Sequence, residues 1–317
     1  MEFSENLLKD RTIVISGIGG FIGYNLAKTI LQKSKNTRII GIDNFSYVEK
    51  KWIGDIIDKI ELIEDDVAKW ETWKNIKSID EIDYIFHFGS PSSIVLFKGN
   101  PEKSYLETVL SLWNAFKFGK EKNVKKIIYP SSGSIYGGNE KPHKESIYPK
   151  PRNLYAAAKM ACEGIAQIYG QYIKSVGLRI FAGYGSGEER KGEFASVICL
   201  FIKDMLEEKS PILYGDGSQE RDFVYIDDVI NAIIRSAEID FSGIINVGTG
   251  VPTSFSKVIQ LIQKTIDNKV EPIYIKKESG YVESLAADTT LMKKLLNVES
   301  ISIEDGIERF IKYLKKD

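Results

Sequence analysis

The 317 residues are 43% hydrophobic and 27% charged, ordinary proportions for a folded chain that exclude wholesale disorder. The 43 basic and 44 acidic side chains leave a net charge of −1, so no bulk field draws the protein to nucleic acid or to an anionic membrane, and an anionic ligand must be captured locally. Cys162 and Cys199 are far apart and lack metal-ligand spacing, which argues against a disulfide framework or a zinc cluster, and no run stays apolar for about 18 residues, so a cytoplasmic protein is expected.

Through the first 180 residues, short β-branched runs alternate with longer amphipathic segments. The runs are Thr12 to Ser16, Arg38 to Asp43, Glu61 to Glu64, Tyr84 to Phe88, Lys126 to Ser131 and Gly177 to Phe181. Between them, residues 24–32, 101–122 and 155–174 carry helical apolar stripes, with Pro101 at a first-turn position. Continuous apolar strands separated by helices indicate a parallel sheet covered on both faces. Beyond Phe181 the pattern turns irregular: a glycine-rich charged loop over 183–192, a helix near 194–207 and a turn at 215–218. Strand-like Phe223 to Ile226, a helix from Asp227 and strand-like Ile244 to Gly248 read as a return to the main sheet. The expected fold is α/β: a doubly wound parallel sheet of Rossmann type, with a smaller, discontinuous α/β domain covering the ligand.

The first strand runs straight into Gly17-Ile18-Gly19-Gly20-Phe21-Ile22-Gly23, placing glycines at 17, 20 and 23 ahead of a helix. Glycine allows the tight turn and lets a pyrophosphate approach backbone amides at a helix N-terminus, where the dipole favours anions. A glycine triplet alone serves turns as readily as ligands, so its context decides. The second strand ends at Asp43, twenty residues after Gly23, where a carboxylate can accept from an adenosine ribose diol and repel a 2′-phosphate. NAD is therefore expected over NADP, with Asp43 and Asn44 at the ribose. Asp66 and Val67 after the third strand fall at the adenine edge, and Gly89 and Ser90 after the fourth near the pyrophosphate. The dinucleotide half is expected over residues 1–182 and 222–250, and the substrate half over 183–221 and 251–317.

Tyr155 and Lys159 stand one helical turn apart and project from one face. An ammonium beside a phenol stabilises the phenolate and lowers its pKa from about 10, making the tyrosine a usable general acid/base. Such a pair occurs by chance on many helices. It gains weight from Ser131-Ser132-Gly133-Ser134-Ile135-Tyr136-Gly137 closing the fifth strand some twenty residues upstream, because ligands bind at strand ends in open parallel sheets.

With these residues in view, the sequence resembles the extended short-chain dehydrogenases that act on sugar nucleotides, UDP-glucose 4-epimerases among them. The resemblance spans nearly the whole chain: GIGGFIG, the acid at Asp43, HFGS at 87–90, SSGSIYG, YAAAK, LRIFAGYG at 178–185, YGDGSQERDFVYIDDV at 214–229 and INVGTG at 245–250. It implies Ser132 as the catalytic serine, Tyr155 as the base and Lys159 as the residue that holds the cofactor ribose and tunes the phenol. Arg221 then contacts a nucleotide diphosphate; a surface ion pair with Asp222 or Asp228 is the competing role. The resemblance also implies a homodimer built on the helices that begin at Pro101 and Tyr155. Relatives that eliminate water or carbon dioxide are similar in carrying acidic residues directly after the catalytic serine or threonine. Gly133 and Ser134 stand here, so epimerisation, or oxidation and reduction with exchangeable cofactor, is expected, and a non-catalytic NAD-binding regulator is disfavoured by the intact Tyr/Lys pair.

The chain departs from the family at Ala182 and Thr108, where asparagines are common, and at Glu278, where an arginine often precedes a glycine, here Gly280, with Lys276 and Lys277 nearby. These changes leave open the sugar and the base of its nucleotide. The loop from Gly185 to Gly192, with Glu188, Glu189, Arg190 and Lys191, could fold over substrate and bring Gly192 to it, although a solvated charged loop is the commoner arrangement. His87 and His143 are the only histidines, and His87, closing a strand, is expected to pack or to lie beside the cofactor rather than to catalyse.

Overall fold

A computed structural model describes residues 8–76, 81–267, 269–276 and 282–315. In chain order the elements are β1 (Thr12–Ser16), α1 (Phe21–Lys33), β2 (Arg38–Asp43), β3 (Glu61–Glu64), α2 (Trp70–Lys74), β4 (Tyr84–His87), α3 (Ile94–Gly99), α4 (Pro101–Glu121), β5 (Lys126–Ser132), α5 (Leu154–Tyr169) and β6 (Lys174–Ile180). The remainder comprises β7 (Ala182–Tyr184), α6 (Val197–Leu206), β8 (Ile212–Tyr214), β9 (Glu220–Tyr225), α7 (Ile226–Glu238), β10 (Gly243–Val247), β11 (Pro252–Ser254), α8 (Phe255–Ile266), β12 (Ile273–Ile275), α9 (Thr290–Leu296) and α10 (Ile303–Leu314).

Ile13, Val14 and Ile15 of β1 are all fully buried, both the odd and the even positions, so the strand is covered on both faces. The sheet around it is parallel and seven-stranded among the described residues, in the order β10-β6-β5-β4-β1-β2-β3. The chain winds outward from β1 to β3, then restarts at β4 on the other side of β1. Ser16 pairs with His87 across that junction, the point where doubly wound sheets open a crevice for ligands.

Contacts divide the chain into two units, 1–132 with 153–179 and 230–245, and 133–152 with 180–229 and 246–317. These boundaries differ from the expected ones at 133–152, 180–182, 222–229 and 246–250. Hydrogen bonds within the second unit give the reason: Tyr136 donates to Asn246 Oδ1 at 2.8 Å, and Asn246 Nδ2 donates to the His143 carbonyl at 2.8 Å. The second unit contains the three-stranded sheet β11-β9-β7 and the parallel pair β12-β8. Its C-terminal helix α10, which periodicity had not marked, starts on a Ser302 cap that accepts from Asp305 N at 3.1 Å.

Candidate active site

The glycine loop lies in the first unit. Gly17 has φ +74, and a Cβ there would sit 2.5 Å from the Phe88 carbonyl carbon. Gly20 is the extended N-cap of α1, receiving Tyr24 N at 2.9 Å, so the amides of Phe21, Ile22 and Gly23 make up the first helical turn. A Cβ on Gly23 would run into the Gly17 carbonyl. Three backbone segments therefore approach more closely than any other residue permits, and the helix presents its positive end beside them.

Asp43 closes β2 and folds back onto this loop. Its Oδ2 accepts from Gly19 N at 2.9 Å and its Oδ1 from Phe45 N at 2.8 Å. Burial raises the carboxyl above its usual range while these amides oppose the rise, and each oxygen keeps lone pairs for a diol. Asn44 turns its Oδ1 to Ser46 N at 3.1 Å. Phe45, at φ +51, lays its ring on Gly19, a contact that no motif announced. Asp66 caps its own turn through Ala68 N at 2.8 Å, and the Val67 carbonyl receives Trp73 Nε1 at 2.9 Å. Gly89 sits against Val67 and Gly17, its Cβ position 2.9 Å from the valine methyl and 3.0 Å from the Gly17 nitrogen. The residues expected at the cofactor thus gather at the ends of β1 to β4. A pyrophosphate needs a side-chain-free cradle at a helix N-terminus and a ribose needs a carboxylate across from it; both are present, so these residues fit a dinucleotide.

Ser132, Tyr155 and Lys159 come together in the same unit. Asn153 caps α5 by accepting Ala156 N at 2.9 Å, which sets the helix phase. Tyr155 shares a side-chain hydrogen bond with Ser132, its ring meets Phe97 edge-on at 5.6 Å, and the Lys159 ammonium is 5.8 Å from the ring centroid. Lys159 Nζ donates to Ser90 Oγ at 3.3 Å, tying the trio to the loop after β4. The expected lowering of the phenol pKa is not what the structure gives. Burial raises Tyr155 above 10, with the Ser132 hydrogen bond opposing, and burial lowers Lys159. The lysine lies over the ring face and is itself desolvated, so its field does not outweigh the phenol's loss of water.

Sequence reasoning missed the brace behind Ser132. Ser131 Oγ donates to Glu163 Oε1 at 2.5 Å, and Arg179 grips both Glu163 oxygens at 2.9 and 2.8 Å. Glu163 stands one turn beyond Lys159, so its spacing was the available signal. His87 is buried, as expected for a packing residue.

Arg221 and Gly192 belong to the second unit. Arg221 Nη1 donates to the Glu220 carbonyl at 2.7 Å, and its guanidinium lies 5.6 Å from the Phe255 ring centre. The Asp222 carboxylate is engaged by the loops around it: it receives Thr249 N, Thr249 Oγ1, Gly250 N and Ala287 N, all within 2.9 Å. Asp228 accepts Ile301 N at 3.0 Å. Gly192, at φ +56 and ψ −126, kinks the 3-10 segment Glu188–Phe194. That segment is no solvated loop, since Glu188 is fully buried and accepts from Ser196 N and Oγ at 2.8 and 2.7 Å. Lys276 is exposed after β12, while Lys277, Glu278 and Gly280 lie outside the described residues.

The family model described as "NAD dependent epimerase/dehydratase family" matches residues 13–248. The chain belongs to that family. It is similar to a UDP-glucuronate 4-epimerase of Thermodesulfobacterium geofontis, at 30% identity with 96% of each chain covered. Among solved structures it is similar to the UDP-glucose 4-epimerase of Thermotoga maritima with UDP-glucose, at TM-score 0.90 and 26% identity, covering 96% of this chain and 99% of that one. The UDP-N-acetylglucosamine 4-epimerase of Methanobrevibacter ruminantium in complex with UDP-N-acetylmuramic acid gives TM-score 0.89 and 27% identity, with 97% and 99% covered. The chain is accordingly an NAD-dependent enzyme of α/β fold.

Proposed function

We propose that the protein is a nucleotide-sugar 4-epimerase that oxidises C4 to a ketone and re-reduces it on the opposite face. One observation carries the reading: a tyrosine hydrogen-bonded to a strand-end serine, with a lysine on its own helix bonded to the loop after β4. The three relatives named above, all 4-epimerases of UDP-sugars, support it.

NAD, when bound, supplies the acceptor and later the donor of hydride. The chain's own residues handle the proton and the geometry. Tyr155 Oη takes the proton of the sugar hydroxyl, Ser132 Oγ hydrogen-bonds the ketone oxygen that results, and Lys159 favours the phenolate. Tyr155 returns the proton after the sugar has turned. No acid follows Ser132 to drive an elimination: Gly133 stands there, and a Cβ on it would lie 2.9 Å from the Phe181 ring, so a larger side chain would have to displace that ring. Arg221 is assigned to the diphosphate and Gly192 to the loop over the sugar, both in the unit given to the nucleotide sugar.

Leu106, Leu110 and Trp113 of α4, with Ile168 of α5, are exposed. They suit a second copy of this chain, and a dimer should be read directly by light scattering; a monomer at micromolar concentration ends that part of the proposal. No helix among the described residues is long and apolar enough to cross a membrane. The free, buried thiols of Cys162 and Cys199 suit a cytoplasmic setting.

Incubation with UDP-, GDP- and dTDP-sugars, without added cofactor, should interconvert C4 epimers. Stoichiometric ketone with reduced nicotinamide would favour a dehydrogenase instead. Tyr155→Phe should lower turnover by about 10³-fold while leaving NAD affinity within error, and full activity in that variant sinks the assignment.

A further inference from the structure

Ser16, His87 and Ser111 form a buried hydrogen-bonded line in the first unit that the proposed chemistry does not use. Ser16 ends β1, His87 ends β4 in register with it, and Ser111 sits midway along α4. All three are at most 2% exposed. Ser16 Oγ lies 2.8 Å from His87 Nδ1, and Ser111 Oγ lies 3.3 Å from Nε2.

What each hydroxyl has left fixes the direction of the line. Ser111 back-bonds to the Thr108 carbonyl at 3.1 Å. With its one proton so engaged, it accepts from His87, and the imidazole proton belongs on Nε2. Ser16 Oγ receives the Gly89 amide over a long 3.4 Å, which leaves its own proton for the bare Nδ1. The opposite tautomer would aim two donors at Ser16 and leave its buried proton without an acceptor among the described residues, an arrangement folded proteins avoid. Burial pushes the imidazole down to about 3, helped by the charge of Lys159, so the line is uncharged.

We propose that His87, with its proton on Nε2, is a positioning residue that acts through Ser16 to hold the Gly89–Ser90 turn. That turn has two duties in this unit. Gly89 packs against Gly17 and Val67, and Ser90 receives the Lys159 ammonium at 3.3 Å. An apolar residue at 87 would leave the Ser16 hydroxyl undirected and the turn free to drift from the glycine loop, whereas an imidazolium there would repel Lys159. The role given to Lys159 rests on the proposed function; the hydrogen-bond line does not.

Asparagine places an amide oxygen where Nδ1 stands and can still accept from Ser16, whereas leucine fills the volume with no acceptor. NAD titration by calorimetry should find His87→Leu about tenfold weaker than the parent chain and His87→Asn within about threefold, the difference of roughly one hydrogen bond. Equal losses in the two variants, or none in either, overturn the proposal. The unaltered protein gives an arm that needs no variant to fold. With only two histidines in the chain, nitrogen-15 spectra of histidine-labelled protein should show one neutral ring protonated at Nε2 that does not titrate between pH 5.5 and 8.5. The His87 signal is the one lost in His87→Asn or kept in His143→Asn. A proton on Nδ1, or an imidazolium, overturns the proposal. A parent chain that binds no NAD sinks the functional reading instead, and the tautomer then decides the line by itself.

Discussion

The turns of the first unit and the loops of the second are held by opposite devices. At the ends of β1 and β4 the backbone closes on itself because side chains are missing: Gly17, Gly23 and Gly89 each leave a neighbour no room for a Cβ. In the second unit the loops are held by carboxylates buried among backbone amides, Asp222 beneath 249–250 and 287, and Glu188 at the start of α6. Close glycine approach leaves a regular spacing in the sequence. A buried carboxylate leaves none, because its partners are main-chain groups that every residue carries.

The sharpest break in that comparison is Asp222→Ala. It strips an acceptor from three amides and a hydroxyl at once, in a residue with no solvent exposure. Orphaned buried donors cost about 1–3 kcal/mol each, partly relieved by entering water, so a loss of about 4 kcal/mol is expected. Calorimetry should record a melting temperature lower by roughly 6 °C. A shift within 2 °C would mean that the loops do not depend on this carboxylate.

Gly17→Ala tests the other device. Positive φ alone disfavours alanine by about 1 kcal/mol, and the Cβ would also press on the Phe88 carbonyl. A total near 3 kcal/mol is expected, together with lost NAD affinity, because the loop must open to admit the methyl. An alanine variant that melts and binds NAD like the parent would remove the case for close backbone approach.

This contrast explains what could be read in advance. The strands from Thr12 to Lys126, the glycine loop, Asp43 and the Tyr155–Lys159 pair all rest on periodicity or short spacing, and the structure brings those residues together. The short strands β7, β8, β11 and β12 span three residues each, too few for a period to declare itself. The Glu188 loop was expected to be solvated because a run of four charged side chains looks the same whether it faces water or a helix cap. The tuning of Tyr155 was misjudged for a related reason: a four-residue spacing gives proximity to Lys159 but says nothing of how much water either group has lost.

Asp228 carries the comparison to a finer scale, since it lies six residues beyond Asp222 and is nearly as buried, yet one backbone amide, Ile301 N, faces it where Asp222 has three. Burial, with repulsion from Asp227 adding to it, raises its carboxyl to about 6. The folded state therefore keeps this proton up to about pH 6, whereas the unfolded chain releases it near 4. Between those values the folded state binds more protons, so stability is fully present below pH 4, falls as the pH rises to 6, and is level above. Asp228→Asn keeps an oxygen for Ile301 N and abolishes the charge. It should leave stability nearly unchanged at pH 4 and raise it by on the order of 2 kcal/mol at pH 7.5, readable as parallel thermal melts at the two pH values. Equal effects at both would mean that the missing amides, rather than the buried charge, set the difference between the two aspartates.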